Sequence, residues 1–181
     1  MVEKIDTQRL VLRPLRTSDA GPLTMHCSDE RVARMTTLMP HPYPPGAAEA
    51  FIEGTLAGRR GEDVWAIDAT PAGGEELIGV VGFRPDQGEI GYWVGVPYWN
   101  AGYATEAVVA LAEYLLGRGD AANLVATVFA DNIASAAVLV KAGFRETGTT
   151  DVFSVARNAP VTARIFRRDR IVAPGPAQGR D

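Results

Sequence analysis

The chain holds one cysteine, Cys27, in 181 residues, so no internal disulfide can form. Only two histidines accompany it, too few for a zinc site of the usual ligand count, and no metal is expected. No run of about 18 consecutive apolar residues occurs, and M-V-E-K-I-D-T-Q-R-L lacks the apolar stretch of a signal peptide. Neither membrane insertion nor export is therefore expected, and a reducing cytoplasm is the expected compartment. A basic excess is missing too: 18 Lys and Arg stand against 22 Asp and Glu, a net charge of -4, which argues against a nucleic-acid partner. The common nucleotide fingerprints are absent, with no G-x-x-x-x-G-K-[ST] and no G-x-G-x-x-G after a strand, which disfavours ATP and NAD. No internal repeat is visible.

What is present is 46% hydrophobic residues, enough for one sizeable core, and the length favours a single domain over residues 1–172. The segment 173–181, A-P-G-P-A-Q-G-R-D, reads as a disordered tail. In R-L-V-L-R-P-L-R (9–16), Leu10 and Leu12 share one face while Arg9, Val11 and Arg13 share the other, the pattern of a half-buried strand ending near Pro14. Thr17 or Ser18 caps a short helix through about Cys27, and Ser28 or Asp29 a second through about Thr36. A proline-rich loop at 39–46 precedes a third helix from Ala47 to Arg60, stopped by Gly61. Strands are predicted at 63–69, 77–83 and 89–96, joined by the turns P-A-G-G-E-E and P-D-Q-G and therefore antiparallel.

Ala104, Val108, Leu111 and Leu115 then mark an apolar helical stripe, with Gly117 as its stop. A strand follows at 123–130, and then a helix that Asn132 caps and Gly143 ends, with Lys141 in its last turn. Two more strands are expected within 144–155 and 161–168. Antiparallel hairpins followed by a helical crossover to a parallel neighbour make a mixed sheet in one layered α/β domain.

The chemistry centres on V-G-V-P-Y-W-N-A-G-Y-A-T-E-A (94–107), a strand running into an open turn and a helix entrance. Unpaired backbone amides meet at such an entrance and attract an anion; an ordinary strand-to-helix turn is the competing explanation. Downstream stands N132-x-x-S135 with K141-x-G143-F144. Together with T-Q-R-L-V-L-R-P-L, E-I-G-Y-W-V and G-Y-A-T-E-A, this pairing resembles the GNAT N-acetyltransferase superfamily, in its RimJ/RimL-type branch, over roughly residues 5–168.

The resemblance implies a mixed, mostly antiparallel central sheet flanked by helices, with a splay between the fourth strand (89–96) and the fifth (123–130). It implies acetyl-CoA as cosubstrate. The superfamily's pyrophosphate motif, [QR]-x-x-G-x-[GA], is met here by Trp99, Asn100, Ala101, Gly102, Tyr103 and Ala104. Gly102 and Ala104 match it, Trp99 replaces Gln or Arg, and Asn100 stands where the branch usually has glycine. Asn tolerates a left-handed backbone, so the turn remains feasible. Thr105 can add a hydroxyl donor, while Glu106 is read as facing away in a structural role. Backbone groups of Val94 and Val96 would bond the pantetheine arm like an added strand, and Asn132 matches a pantetheine contact as well as being a helix cap.

The implied reaction is direct attack of a primary amine on the thioester, without an acyl-enzyme. Val94 offers an amide for the oxyanion. The tyrosine that many members place seven residues after the asparagine is Leu139 here. Ser135 is the substitute general acid, its hydroxyl lying near the departing sulfur or merely capping the helix. Glu89 is the candidate base through a water, or else a bland hairpin carboxylate; His26 and Asp29 are weaker candidates. Tyr92 and Trp93 point to opposite faces of their strand, so one at most is expected in a given pocket. Partners are an amine substrate, a protein N-terminus or a small molecule such as a polyamine or aminoglycoside, with a homodimer as the family's usual assembly. A non-catalytic acyl-CoA-binding module is the reading from another class.

Overall fold

The computed structural model describes residues 2–170, and the segment read as a disordered tail lies outside them. Eight strands form one sheet in the order β1-β2-β3-β4-β5-β6-β8-β7. Their ranges are β1 Ile5–Asp6, β2 Val11–Pro14, β3 Asp63–Asp68, β4 Gly79–Arg84, β5 Glu89–Val94, β6 Asn123–Phe129, β7 Arg145–Ser154 and β8 Ala159–Asp169. The α-helices among the described residues are α1 Ala20–Cys27, α2 Glu30–Ala33, α3 Ala47–Leu56, α4 Tyr103–Arg118 and α5 Ile133–Lys141. All neighbouring strands are antiparallel except β5 and β6, which are parallel. The expected mixed, mostly antiparallel sheet is what forms; the two-residue β1, too short to show periodicity, raises the strand count by one.

Period-two alternation gives the sheet two apolar faces. Trp65 and Ile67 of β3 pack with Leu12, Val81, Phe83, Ile90 and Leu124 against Val108, Leu111 and Leu115 of α4. Val64 and Ala66 turn the other way, to Leu23 and Cys27 of α1 and Ile52 of α3. The stripe on α4 is the one its spacing predicts, but the helix runs past Gly117 and ends at Gly119, whose φ of 81° permits the left-handed cap. Gly117 remains helical because its backbone is not asked to leave the α region.

Several predicted boundaries are corrected by local bonding. Thr17 and Ser18 do not cap α1: they lie in a 3-10 turn, Thr17–Asp19, in which the Asp19 carboxylate accepts the Arg16 amide at 2.7 Å. Asp29 does cap α2, accepting the Arg31 amide at 2.9 Å, but that helix stops at Ala33. Helix α3 ends at Leu56, short of Arg60, because the chain turns left-handed at Gly58 before Gly61.

Arg13, on the face expected to be the more exposed, is buried with 4% exposure. Its guanidinium donates to Asp68 at 2.9 Å, to both oxygens of Asp19 at 2.9 and 2.8 Å, and to the Glu76 carbonyl at 2.6 Å. Four separate stretches are thereby clamped at the end of the sheet where α1 begins.

The β4–β5 hairpin places the site, and at Gly79 the facing β5 backbone leaves no room for a side chain, since a methyl group would overlap the Trp93 carbonyl oxygen. A methyl group there would lie 2.9 Å from Val94 Cα. Gly79→Ala is expected to cost about 1–3 kcal/mol by overpacking and to push β5 out of line. Urea unfolding checks the first effect, and loss of acetyl-CoA-dependent thermal stabilisation checks the second.

Candidate active site

The site starts from a failed pairing. Strands β5 and β6 meet only at Glu89 and Val125, where the Val125 amide donates to the Gly88 carbonyl at 2.9 Å, and then part. Between them and beneath the 35–43 loop lies a cavity of about 510 Å³. One wall comes from Ile90 to Trp93 and the other from Ala126 to Phe129, and Asn132, Ser135, Arg60, Glu62, Arg84 and Glu89 complete the lining. Both Tyr92 and Trp93 line it. Their side chains do leave opposite faces of β5, but the cavity wraps around the open edge of that strand, where no neighbour separates the two faces.

The Gly95 amide bonds back to Ile78 at 2.8 Å, so alternation turns the Val94 backbone outward into the splay. The Val94 carbonyl accepts the Trp99 indole N–H at 2.7 Å, and the Val96 carbonyl accepts the Trp99 amide at 3.2 Å within the 3-10 turn Val96–Tyr98. Trp99 thus ties the turn to the strand end.

Asn100 and Gly102 are both left-handed, with φ of 60° and 82°. The first intrahelical bond of α4 is Glu106 amide to Gly102 carbonyl, 3.0 Å. The amides of Gly102, Tyr103, Ala104 and Thr105 therefore precede the helical bonding pattern, and no side chain caps them. The α4 dipole adds positive potential at this point. Glu106, in the same first turn, faces away as expected: its carboxylate accepts Thr7 Oγ1 at 2.6 Å and the Arg9 amide and Nε at 2.7 Å each. Burial works to raise the Glu106 carboxyl, and these bonds outweigh it and hold the pKa below the usual carboxylate range. Arg9 also donates to the Ala101 carbonyl at 2.9 Å and lies 4.8 Å from the Tyr103 ring centroid. This clamp is the feature that sequence reasoning missed, since Arg9 and Ala101 are brought together only by tertiary folding.

Asn132 caps α5, its side-chain oxygen accepting the Ser135 amide at 3.1 Å. Ser135 Oγ sits 2.7 Å from the Tyr92 hydroxyl, which is 3.0 Å from the Ser135 carbonyl. A carbonyl only accepts, so when Tyr92 donates its single proton there, Ser135 must donate to Tyr92; when Tyr92 donates to Oγ, the serine proton is free for another acceptor. Burial pushes the Tyr92 pKa up to about 12, against the lowering effect of the Ser135 bond, and the phenol stays protonated at neutral pH. Leu139 is fully buried in the core. The Tyr92 phenol instead brings a hydroxyl to the first turn of α5 from the opposite wall, with no signal in local spacing.

Glu89 also lines the cavity, one carboxylate oxygen accepting Arg84 at 2.8 Å. His26 is buried behind β5, its ring 5.8 Å from that of Tyr98 and so close to Gly95 that a β-carbon there would overlap it. Burial lowers its pKa, and it is not among the cavity-lining residues. Asp29 is bound to Arg31 at 2.7 Å on the surface. Among the described residues there is no group of three or more His, Cys, Asp or Glu suited to a metal.

Residues 9–145 match the family model described as the acetyltransferase (GNAT) domain. The chain is 28% identical over 171 residues to the uncharacterized N-acetyltransferase YoaA of Bacillus subtilis, covering 90% of this chain and 94% of that one. Its fold is shared with RimL, a ribosomal L7/L12 alpha-N-protein acetyltransferase solved with coenzyme A (TM-score 0.79, 20% identity, 92% and 98% coverage). It is also shared with the microcin C7 self-immunity acetyltransferase MccE, solved with acetyl-CoA and AMP (TM-score 0.78, 17% identity, 90% and 93% coverage).

Glu106→Gln should lower stability at pH 7 by about 2 kcal/mol, the scale of lost hydrogen bonds to a charged group. Because the folded carboxyl pKa is depressed, wild type should hold this advantage above the unfolded value of about 4.3 and lose it as pH falls through the lower folded value. Paired denaturant titrations from pH 7 to pH 2 measure the difference.

Proposed function

The chain belongs to the acetyltransferase (GNAT) domain family and is an acetyl-CoA-dependent N-acetyltransferase, and on that premise we propose that the β5–β6 splay is where the acetyl group passes directly to a primary amine. The single observation that carries this reading is the open edge of β5, which borders the cavity lined by Tyr92 and Ser135 and continues along the chain through Val94 into the turn that ends in the uncapped amides of α4.

The residues fit the cosubstrate. Gly102 and Ala104 carry little bulk, the left-handed turn directs amides outward, and the four leading amides of α4 suit a pyrophosphate. We assign Asn100, Ala101, Gly102, Tyr103, Ala104 and Thr105 to that cradle, and Val94, Val96 and Asn132 to the pantetheine arm. Acetyl-CoA supplies the activated acetyl thioester. The Val94 amide, facing the splay, is assigned to the acetyl carbonyl oxygen as its negative charge grows. Ser135 donates a hydrogen bond to the departing sulfur when Tyr92 turns its proton from the Ser135 carbonyl to Ser135 Oγ, which frees the serine proton without leaving an oxygen unsatisfied. Glu89 receives the amine proton through a water. An α-amine, with a pKa of about 7.7–8.0, needs little such help near neutrality, whereas a lysine side chain near 10.4 needs more.

A protein N-terminal α-amine or a small amine is the acceptor. RimL supports the first by what it modifies, and a cavity of about 510 Å³, the size of a small-molecule site, supports the second. Among the described residues no helix is long and apolar enough to cross a membrane.

Acetyl-CoA should raise the melting temperature of the wild type, and free thiol should appear when amines are added. Ser135→Ala should lower kcat by about a hundredfold, with the KM for acetyl-CoA within about threefold. Thermal stabilisation with no thiol release across amines and peptides would instead show an acyl-CoA-binding module.

A further inference from the structure

Resting on that reading, the cavity's own charges narrow the acceptor. Four charged side chains line it, and they form a chain of pairs: Arg60 to Glu62 at 2.7 Å, Glu62 to Arg84 at 3.5 Å, and Arg84 to Glu89 at 2.8 Å. Two positive and two negative groups leave no net charge there. Both Glu62 oxygens and one Glu89 oxygen are committed to arginine, and among the described residues no donor reaches Glu89 Oε1. Arg60 is held further by the Phe51 ring, with its guanidinium carbon 4.5 Å from the centroid.

Leu38, Met39, Phe51 and Trp93 give the rest of the cavity large apolar surfaces, beside the hydroxyl-bearing Tyr43, Thr36, Thr37 and Thr127. An ammonium entering such a space loses water and regains only what a carboxylate returns to it. One uncommitted oxygen serves one amine. A second cationic group would have to break an Arg–Glu pair or stay unpaired against an apolar wall, and either weakens its binding.

We infer that this cavity takes an acceptor with a single amine on an apolar body, such as the α-amine of a peptide beginning with a large apolar residue or an alkyl or arylalkyl monoamine, and discriminates against polycations. The apolar walls bind the body, and the arginines act as specificity residues by cancelling the carboxylates that a polyamine or aminoglycoside would need.

Matched acceptors test this, because each pair differs mainly in a second ammonium: pentylamine against cadaverine, and peptides beginning with leucine against the same peptides beginning with lysine. With full-length protein and acetyl-CoA, thiol release should give kcat/KM at least tenfold higher for pentylamine and for the leucine peptide. Arg84, 38% exposed, can be replaced without opening the core. Arg84→Met, which frees Glu89 and one Glu62 oxygen, should shift the pentylamine-to-cadaverine ratio at least fivefold toward cadaverine, while Arg84→Lys retains the wild-type ratio. Equal or better turnover of cadaverine or the lysine peptide by wild type would overturn the inference and leave acetyl transfer standing. So would an unchanged ratio in Arg84→Met. Absence of thiol with all four acceptors, despite stabilisation by acetyl-CoA, would overturn the transfer reading and this one with it.

Discussion

The site depends on one interruption: β5 and β6 pair at Glu89 and Val125 and nowhere beyond. A parallel ladder normally consumes the amides and carbonyls of both strands, and here those of one strand end are spared. An unpaired strand edge is costly inside a protein unless something else satisfies it. In-chain donors from Trp99 satisfy part of that need at the Val94 and Val96 carbonyls, which leaves the Val94 amide facing the gap. The open edge therefore belongs to a built site, and the crossover helix α4, with its uncapped amides, begins nine residues after the end of that strand.

Two ionic clamps keep that geometry, and they differ in depth. Arg13, with both Asp19 and Asp68, is buried at the sheet end and fixes where α1 starts. Arg9 and Glu106 sit nearer the surface, joining the segment before β2 to the first turn of α4 and, through the Ala101 carbonyl, to the anion-binding turn itself. A carboxylate beside a diphosphate site would repel its ligand if it faced inward. Bonded by Thr7 and Arg9 on the far side, Glu106 keeps the favourable interaction with the helix dipole, and the cradle amides stay open.

The same sorting of charge recurs in the cavity, where carboxylates are held by arginines beside large apolar surfaces. Tyr92 and Ser135 mark the reacting centre because their shared protons have two arrangements, one closed by two hydrogen bonds within the pair and one that presents a serine proton outward to another acceptor. A buried phenol with its pKa pushed up to about 12 by desolvation keeps its proton, which is what that exchange requires.

Much was legible in the chain itself, because it is written in local order. The stripe Val108, Leu111, Leu115, the Asn132 cap, the Gly143 stop and the left-handed Asn100 and Gly102 all follow from short-range spacing or backbone preference. The helix ends at Leu56 and Arg118 differ by a few residues from those the glycine spacing predicts, since competing glycines offer equal local stops and packing selects among them. The sequence alone determined the family resemblance, the layered mixed sheet and the open helix entrance, since motif and periodicity act over neighbouring residues. Only the tertiary structure decided that Arg9 grips a turn 92 positions away, that Tyr92 meets Ser135 across 43, and that Glu62 and Glu89 are neutralised by Arg60 and Arg84. Such pairs form wherever strand register and helix docking bring distant side chains within hydrogen-bond reach, and that register is set by burying the whole apolar pattern at once.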